Sequence, residues 1–125
     1  MSESPFSELG EIAPQRIWEG VVVRAVHGDR TTLGLIELAP DSLVPEHSHE
    51  HEQMGVLVSG SLRFRIGDDT RELAPGATWR IRANVPHEVE AGPEGAVVVE
   101  LFNPWRSDWT ALERLPVAPP PWPSR

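Results

Sequence analysis

The sequence predicts an all-β protein, a small closed or nearly closed β-barrel. Residues from about 16 to 105 read as short strands, several of which alternate apolar and polar side chains. Turn residues separate them at the regular short intervals typical of sandwiches and barrels, and no stretch there has the periodicity of an amphipathic helix. A chain of 125 residues with 39% hydrophobic content suffices for one domain with a single core.

Taken in order, residues 1–14, "MSESPFSELGEIAP", form a polar N-terminal arm, and residues 15–107 form the barrel. "VVVRAV" and "TTLGLIELA" are nearly continuous apolar runs, as strands covered on both faces are. In "SLRFRIGDD", Leu62, Phe64 and Ile66 alternate with Ser61, Arg63 and Arg65 before a turn. "ATWRIRA" repeats the pattern, with Trp79 and Ile81 opposite Thr78, Arg80 and Arg82. Residues 108–125 follow as an appendage: "SDWTALERL" allows one helical turn or two, and the proline-rich "PVAPPPWPSR" cannot continue it. That tail is expected to be loose, with Trp122 as its one docking candidate.

Composition removes several classes of function. The formal charge is −8 and all 11 basic residues are arginines without a basic stripe, so nucleic acid is not an expected partner. No apolar run approaches the roughly 18–20 residues that span a bilayer, and the N-terminus lacks the features of a signal peptide, so the expected location is the cytoplasm, away from membranes. Cysteine is absent, which excludes disulfides and thiolate metal sites. An anionic small substrate would need local compensation from a metal or an arginine.

The chemistry concentrates in "PEHSHEHEQMGVLVSG". Residues two apart on a strand share a face, so His47 and His49 have the spacing of a chelating pair. Gln53 can return to the same place if the chain bends, and His87, in "NVPHEVE", can add a third imidazole from afar. Such a set suits a divalent transition metal. A bare His-x-His pair can equally be a wet strand edge. His51 is expected at the rim, Glu50 and Glu52 in solvent, and His27 in a structural role.

These residues lie in a motif that resembles the cupin family. "PEHSHEHEQMGVLVSG" is similar to its first signature, P-x-H-x-H-x-x-x-(E/Q)-x-x-x-V-L-x-G, and "LAPGATWRIRANVPHEVE" to its second. The resemblance implies a single-domain, jelly-roll type double-stranded β-barrel holding one divalent ion (nickel, zinc, iron, cobalt or manganese) through His47, His49, Gln53 and His87. It also implies a homodimer. Because all four ligands are neutral, the ion would keep its full charge, which favours an anionic ligand and Lewis-acid chemistry.

A second constellation lies in "AVVVELFNPWRSDW". Val98, Glu100 and Phe102 share one face of a strand, and Val97, Val99 and Leu101 the other. Glu100 is therefore either a carboxylate inside the barrel or an outward residue, and parity does not choose, since both faces carry valines. Arg106, beyond Pro104, can reach over the barrel mouth and grip a carboxylate.

This ending resembles the "D-x-F-S-P-P-R-E-D-F" of the pectin-degradation cupins of the KdgF kind. The resemblance implies the opening of 4,5-unsaturated monouronates from pectin or alginate to linear keto sugars, with Glu100 and Arg106 catalytic and Phe102 and Arg106 on the substrate. Glutamate replaces that group's aspartate, and Trp105 adds an aromatic beside Arg106, so the substrate itself is the open point. A wide apolar pocket lined by Trp79 and Trp105 would instead suit the aromatic substrates of a dioxygenase or polyketide cyclase. The remaining alternative is a metal-stabilised binding or sensing module without turnover.

Overall fold

The computed structural model describes residues 4–123; the first three residues of the expected arm and the last two of the tail lie outside the described residues. Eight strands form: β1 (Gln15–Trp18), β2 (Val21–His27), β3 (Thr32–Leu38), β4 (Leu43–His47), β5 (Glu52–Ile66), β6 (Asp69–Leu73), β7 (Thr78–Ile81) and β8 (His87–Asn103). All pair antiparallel, in the order β1-β2-β3-β8-β5-β6, with β4 on β8 and β7 on β5.

The two long strands close the barrel by changing partners midway. Early β5 pairs with β7 and late β8, whereas late β5 pairs with β6 and early β8. Between these halves the β5–β8 register slips twice, and the bends fall at Gly60 (φ +83) and Gly95 (φ +76). A Cβ on Gly60 would strike the carbonyl oxygen of Gly95, so only glycine satisfies both the positive φ and the close approach. The two halves of this eight-stranded sheet, which share β5 and β8, make the barrel expected from the strand pattern, of the jelly-roll type that the family resemblance implies.

The alternation read in the sequence has the expected sense. Leu62, Phe64, Trp79 and Ile81 are buried in the core, while Arg63, Thr78 and Arg80 are exposed. On the outer face Val26, Leu33, Leu101 and Met54 stand in register across β2, β3, β8 and β5 and are partly exposed. No helix among the described residues is long and apolar enough to cross a membrane.

The C-terminal segment differs from the loose tail expected. Among the described residues after β8 a short 3-10 turn, Ser107–Ala111, forms, and Arg114 then makes a bridge with Gln15 of β1. Further on, Arg24, on the outer side of β2 yet 3% exposed, donates from Nη2 to the carbonyls of Ala118 (3.1 Å) and Pro119 (3.3 Å). A buried guanidinium needs acceptors, and the proline-rich segment, with few N–H groups of its own, presents bare carbonyls. Trp122 is 39% exposed.

Candidate metal centre

β8 begins and ends on one cavity because of its central bend: His87 opens it, Glu100 and Phe102 stand near its end, and all three line the same cavity of about 100 Å³. His47 closes β4 as the register partner of His87, and His49 follows in the turn. The candidate donor atoms of His47, His49 and His87 all lie within 4.8 Å of one another.

Each imidazole is held through Nδ1. His47 donates to the carbonyl of Pro45 (2.9 Å), His49 to that of His51 (3.0 Å) and His87 to that of Val85 (2.9 Å). A carbonyl only accepts, so Nδ1 carries the proton and each neutral ring keeps its Nε2 lone pair free, the arrangement that prepares histidine for a metal. His87 Nε2 is buried without a hydrogen-bond partner. Burial, together with the neighbouring His47, His49 and Arg106, pushes the pKa of His87 down to about 4, and burial and Arg106 lower that of His49. These shifts favour the neutral rings of His87 and His49 that ligation requires.

Gln53, at the start of β5, stands beside the three imidazoles. Its Nε2 donates to Glu100 Oε2 at 2.6 Å, which turns its Oε1 toward His49 Nε2 at 3.0 Å. With the His49 proton on Nδ1, two lone pairs face each other there. A cation near both relieves that repulsion, and the orphaned His87 nitrogen asks for the same partner. The residues therefore fit a divalent ion.

Glu100 faces the barrel interior and is 6% exposed, which answers the question left open by parity. Trp79 Nε1 donates to the same Oε2 at 2.7 Å. Among the described residues Oε1 accepts no hydrogen bond and is the oxygen open to the cavity. Burial raises the pKa of Glu100, opposed by its two hydrogen bonds and by Arg106. The charge balance read from four neutral ligands thus changes: a carboxylate stands one amide away from the ion's place.

Arg106 also lines the cavity, with its guanidinium 4.9 Å from the Phe102 ring centre and 4.3 Å from that of Trp109. Its Nε and Nη2 bond both oxygens of Asp108 (3.1 and 2.9 Å), which lowers the pKa of Asp108. One edge of the guanidinium is therefore taken, and the Nη1 end is left for a ligand. Asp108 and Trp109 were not read from the sequence as site residues. The "RSDW" order carried the signal, since an aspartate two residues after an arginine can brace it.

Other residues lie apart from these. Trp105 is not on the cavity wall; its ring meets His27 edge-on at 5.3 Å, and His27 bonds Thr32 Oγ1 at 2.8 Å. Trp79 does line the cavity, but its N–H is committed to Glu100. His51 is half-buried at the rim and supports His49 through its carbonyl, while Glu50 and Glu52 are exposed.

Residues 34–102 match the Cupin domain family. The chain belongs to the cupin family. This cupin is 26% identical over 108 residues to the pectin degradation protein KdgF of Dickeya dadantii (strain 3937), across 86% of this chain and 92% of that protein. It is 34% identical over 90 residues to the H2HPP isomerase of Bacillus subtilis, across 69% of this chain and 38% of that protein. The solved structure of KdgF from Halomonas sp. superposes with a TM-score of 0.77 at 23% identity, covering 85% of this cupin and 98% of that chain. The fold is that of the cupin family, and the likeness to KdgF extends over most of the chain.

Proposed function

We propose that this cupin is a metal-dependent enzyme that opens the ring of 4,5-unsaturated monouronates, of the kind released from pectin or alginate, to linear keto sugars. The observation that carries the reading is Glu100: a buried carboxylate with one oxygen fixed and the other open to a cavity that also holds three metal-ready imidazoles. The KdgF relative supports the choice of substrate.

His47, His49, His87 and Gln53 would hold the ion, which when bound supplies Lewis-acid stabilisation of negative charge on a substrate oxygen. Glu100 Oε1 takes the proton of the anomeric hydroxyl. The bond from the anomeric carbon to the ring oxygen breaks, giving an aldehyde and an enolate oxygen. The protonated Glu100 then returns its proton to the alkene carbon as the enolate becomes a ketone, so the sequence is a net isomerisation. Arg106 binds the substrate carboxylate through its free end, and Phe102 walls the ring.

The cavity's deeper wall, including Val21, Ile36, Leu38 and Val98, is apolar. That observation favours a second reading, an aromatic or alicyclic acid isomerised by the same proton transfer, and the relative named as an isomerase is in keeping with it.

The test is to incubate metal-analysed protein with freshly generated 4,5-unsaturated galacturonate and follow loss of the ring alkene by proton NMR against a spontaneous-opening control. Acceleration that disappears in His87→Ala is the expected result. No acceleration by a metal-loaded sample would overturn the uronate reading.

A further inference from the structure

Glu100 stands in a row that crosses three strands. Gly55 on β5 is the register partner of Glu100 on β8 and of Trp79 on β7. Glu100 and Trp79 are therefore two strands apart, about 10 Å between backbones. The indole spans that gap by lying over Gly55: a Cβ at position 55 would stand 2.6 Å from ring atoms Cε2, Cζ2 and Nε1. On this path Trp79 also packs against Phe64, with ring centres 5.1 Å apart, and delivers its N–H to Glu100 Oε2. Gln53, two residues along β5 on the same face, delivers the second N–H to that oxygen.

We infer that Trp79 is a positioning residue, seated over Gly55, which together with Gln53 pins one oxygen of Glu100 so that the other is held toward the reacting atoms. The inference rests on Glu100 acting as the base of the proposed reaction. A glutamate reaches its carboxylate through three rotatable bonds, and proton transfer needs it within hydrogen-bond reach of its target. Two donors meeting at one oxygen oppose rotation of the group, since turning it breaks both bonds together. Gly55 makes the arrangement possible, because any side chain there occupies the space of the indole.

Trp79→Phe keeps an aromatic ring and removes the N–H. Its kcat is expected to fall about 100-fold, the loss that follows a misplacement of about 1 Å. KM should move by less than about threefold and metal content should stay at the wild-type level, because the four ligands and Arg106 are untouched. Gly55→Ala should give the same pattern while removing no polar group. A second readout needs no substrate. In the zinc-loaded protein the five tryptophans give five indole N–H signals; the one missing from Trp79→Phe belongs to Trp79, and it should move upfield in Glu100→Gln, where an amide replaces the carboxyl group as acceptor. A Trp79 signal unmoved in Glu100→Gln, or an unchanged kcat in Trp79→Phe, overturns the inference. If the wild type does not open the uronate, the substrate reading fails, and the indole shift alone decides whether Trp79 holds Glu100.

Discussion

Gln53 bonds Glu100 at 2.6 Å through its amide nitrogen, and its amide oxygen is thereby turned to His49. The amide thus joins a candidate metal ligand to the buried carboxylate, and a glutamate in its place would bring two carboxylates together. Such pairs share a proton because both cannot ionise at that distance. In Gln53→Glu the base would be half-neutralised while the ion gained an anionic ligand. The expected outcome is a kcat about 100-fold lower with metal affinity equal or higher, measured by steady-state kinetics beside metal titration calorimetry.

Glu100→Gln separates activity from stability. Loss of a general base predicts a rate about 100- to 10,000-fold lower, with metal content unchanged. Stability should move the other way. Burial raises the carboxyl pKa in the folded state above its unfolded value of 4.5, so the folded protein binds the proton more tightly. That contribution is fully present below pH 4.5 and is lost as pH rises through the folded value. At pH 7 the metal-free variant should therefore melt at a higher temperature than the metal-free wild type, and the gap should close toward pH 4.5. A variant that melts lower at pH 7 would contradict this.

His87 gives the opposite pH slope. Its pKa falls from 6.5 to about 4 on folding, so between those values the unfolded chain binds more protons. Stability of the metal-free protein should then decline as pH falls from 6.5 to 4 and level off below, with His49 adding to the slope. His87→Gln should flatten the decline. Added zinc should raise the melting temperature more at pH 7 than at pH 5, because ligation and protonation compete for the same nitrogens. Thermal unfolding across this pH range, with and without zinc, measures both.

Arg106 and Asp108 form a braced pair against Phe102 and Trp109. Lysine can neither make the two-bond contact to Asp108 nor stack its head as a plane. Arg106→Lys is expected to raise KM for an anionic substrate about 10-fold, with a smaller effect on kcat. Asp108→Asn should do the same more weakly, since it loosens the brace and leaves the cation. Equal KM values in the wild type and Arg106→Lys would remove Arg106 from substrate binding.

The fold was legible because period-two alternation marks the strands, and the three imidazoles were legible through the two cupin-like motifs around them, since the His-x-His spacing alone left a wet strand edge open and His87 stands in a separate segment. The inward orientation of Glu100 was not legible from strand parity, and only the family resemblance pointed to the residue, for a physical reason. Its strand is apolar on both faces because the outer surface is partly covered too: Leu35 and Val97 are buried there, and Arg24 lies under residues 118 and 119. Parity distinguishes inside from outside only when one face is wet. The bond from Trp79 to Glu100 was hidden for another reason. It depends on the register of three strands around Gly55, which no short stretch of sequence encodes.

The same segment couples the chain ends to the site through Gln15. This residue, 5% exposed on β1, donates from Nε2 to the carbonyls of Trp109 (2.9 Å) and Leu112 (3.3 Å), at the turn that follows Arg106. Trp109 in turn packs on Phe102, with ring centres 4.9 Å apart, and lies against the Arg106 guanidinium. Gln15→Leu keeps the bulk but leaves the two carbonyls without this donor, a change that costs about 1–3 kcal/mol where such groups stay buried. Urea unfolding should register that loss. Because the turn holds Arg106 from behind, KM should rise in the same variant while metal content stays constant. A variant that loses stability but keeps its KM would make Gln15 a clasp for the chain end alone, with no hold on the cavity wall.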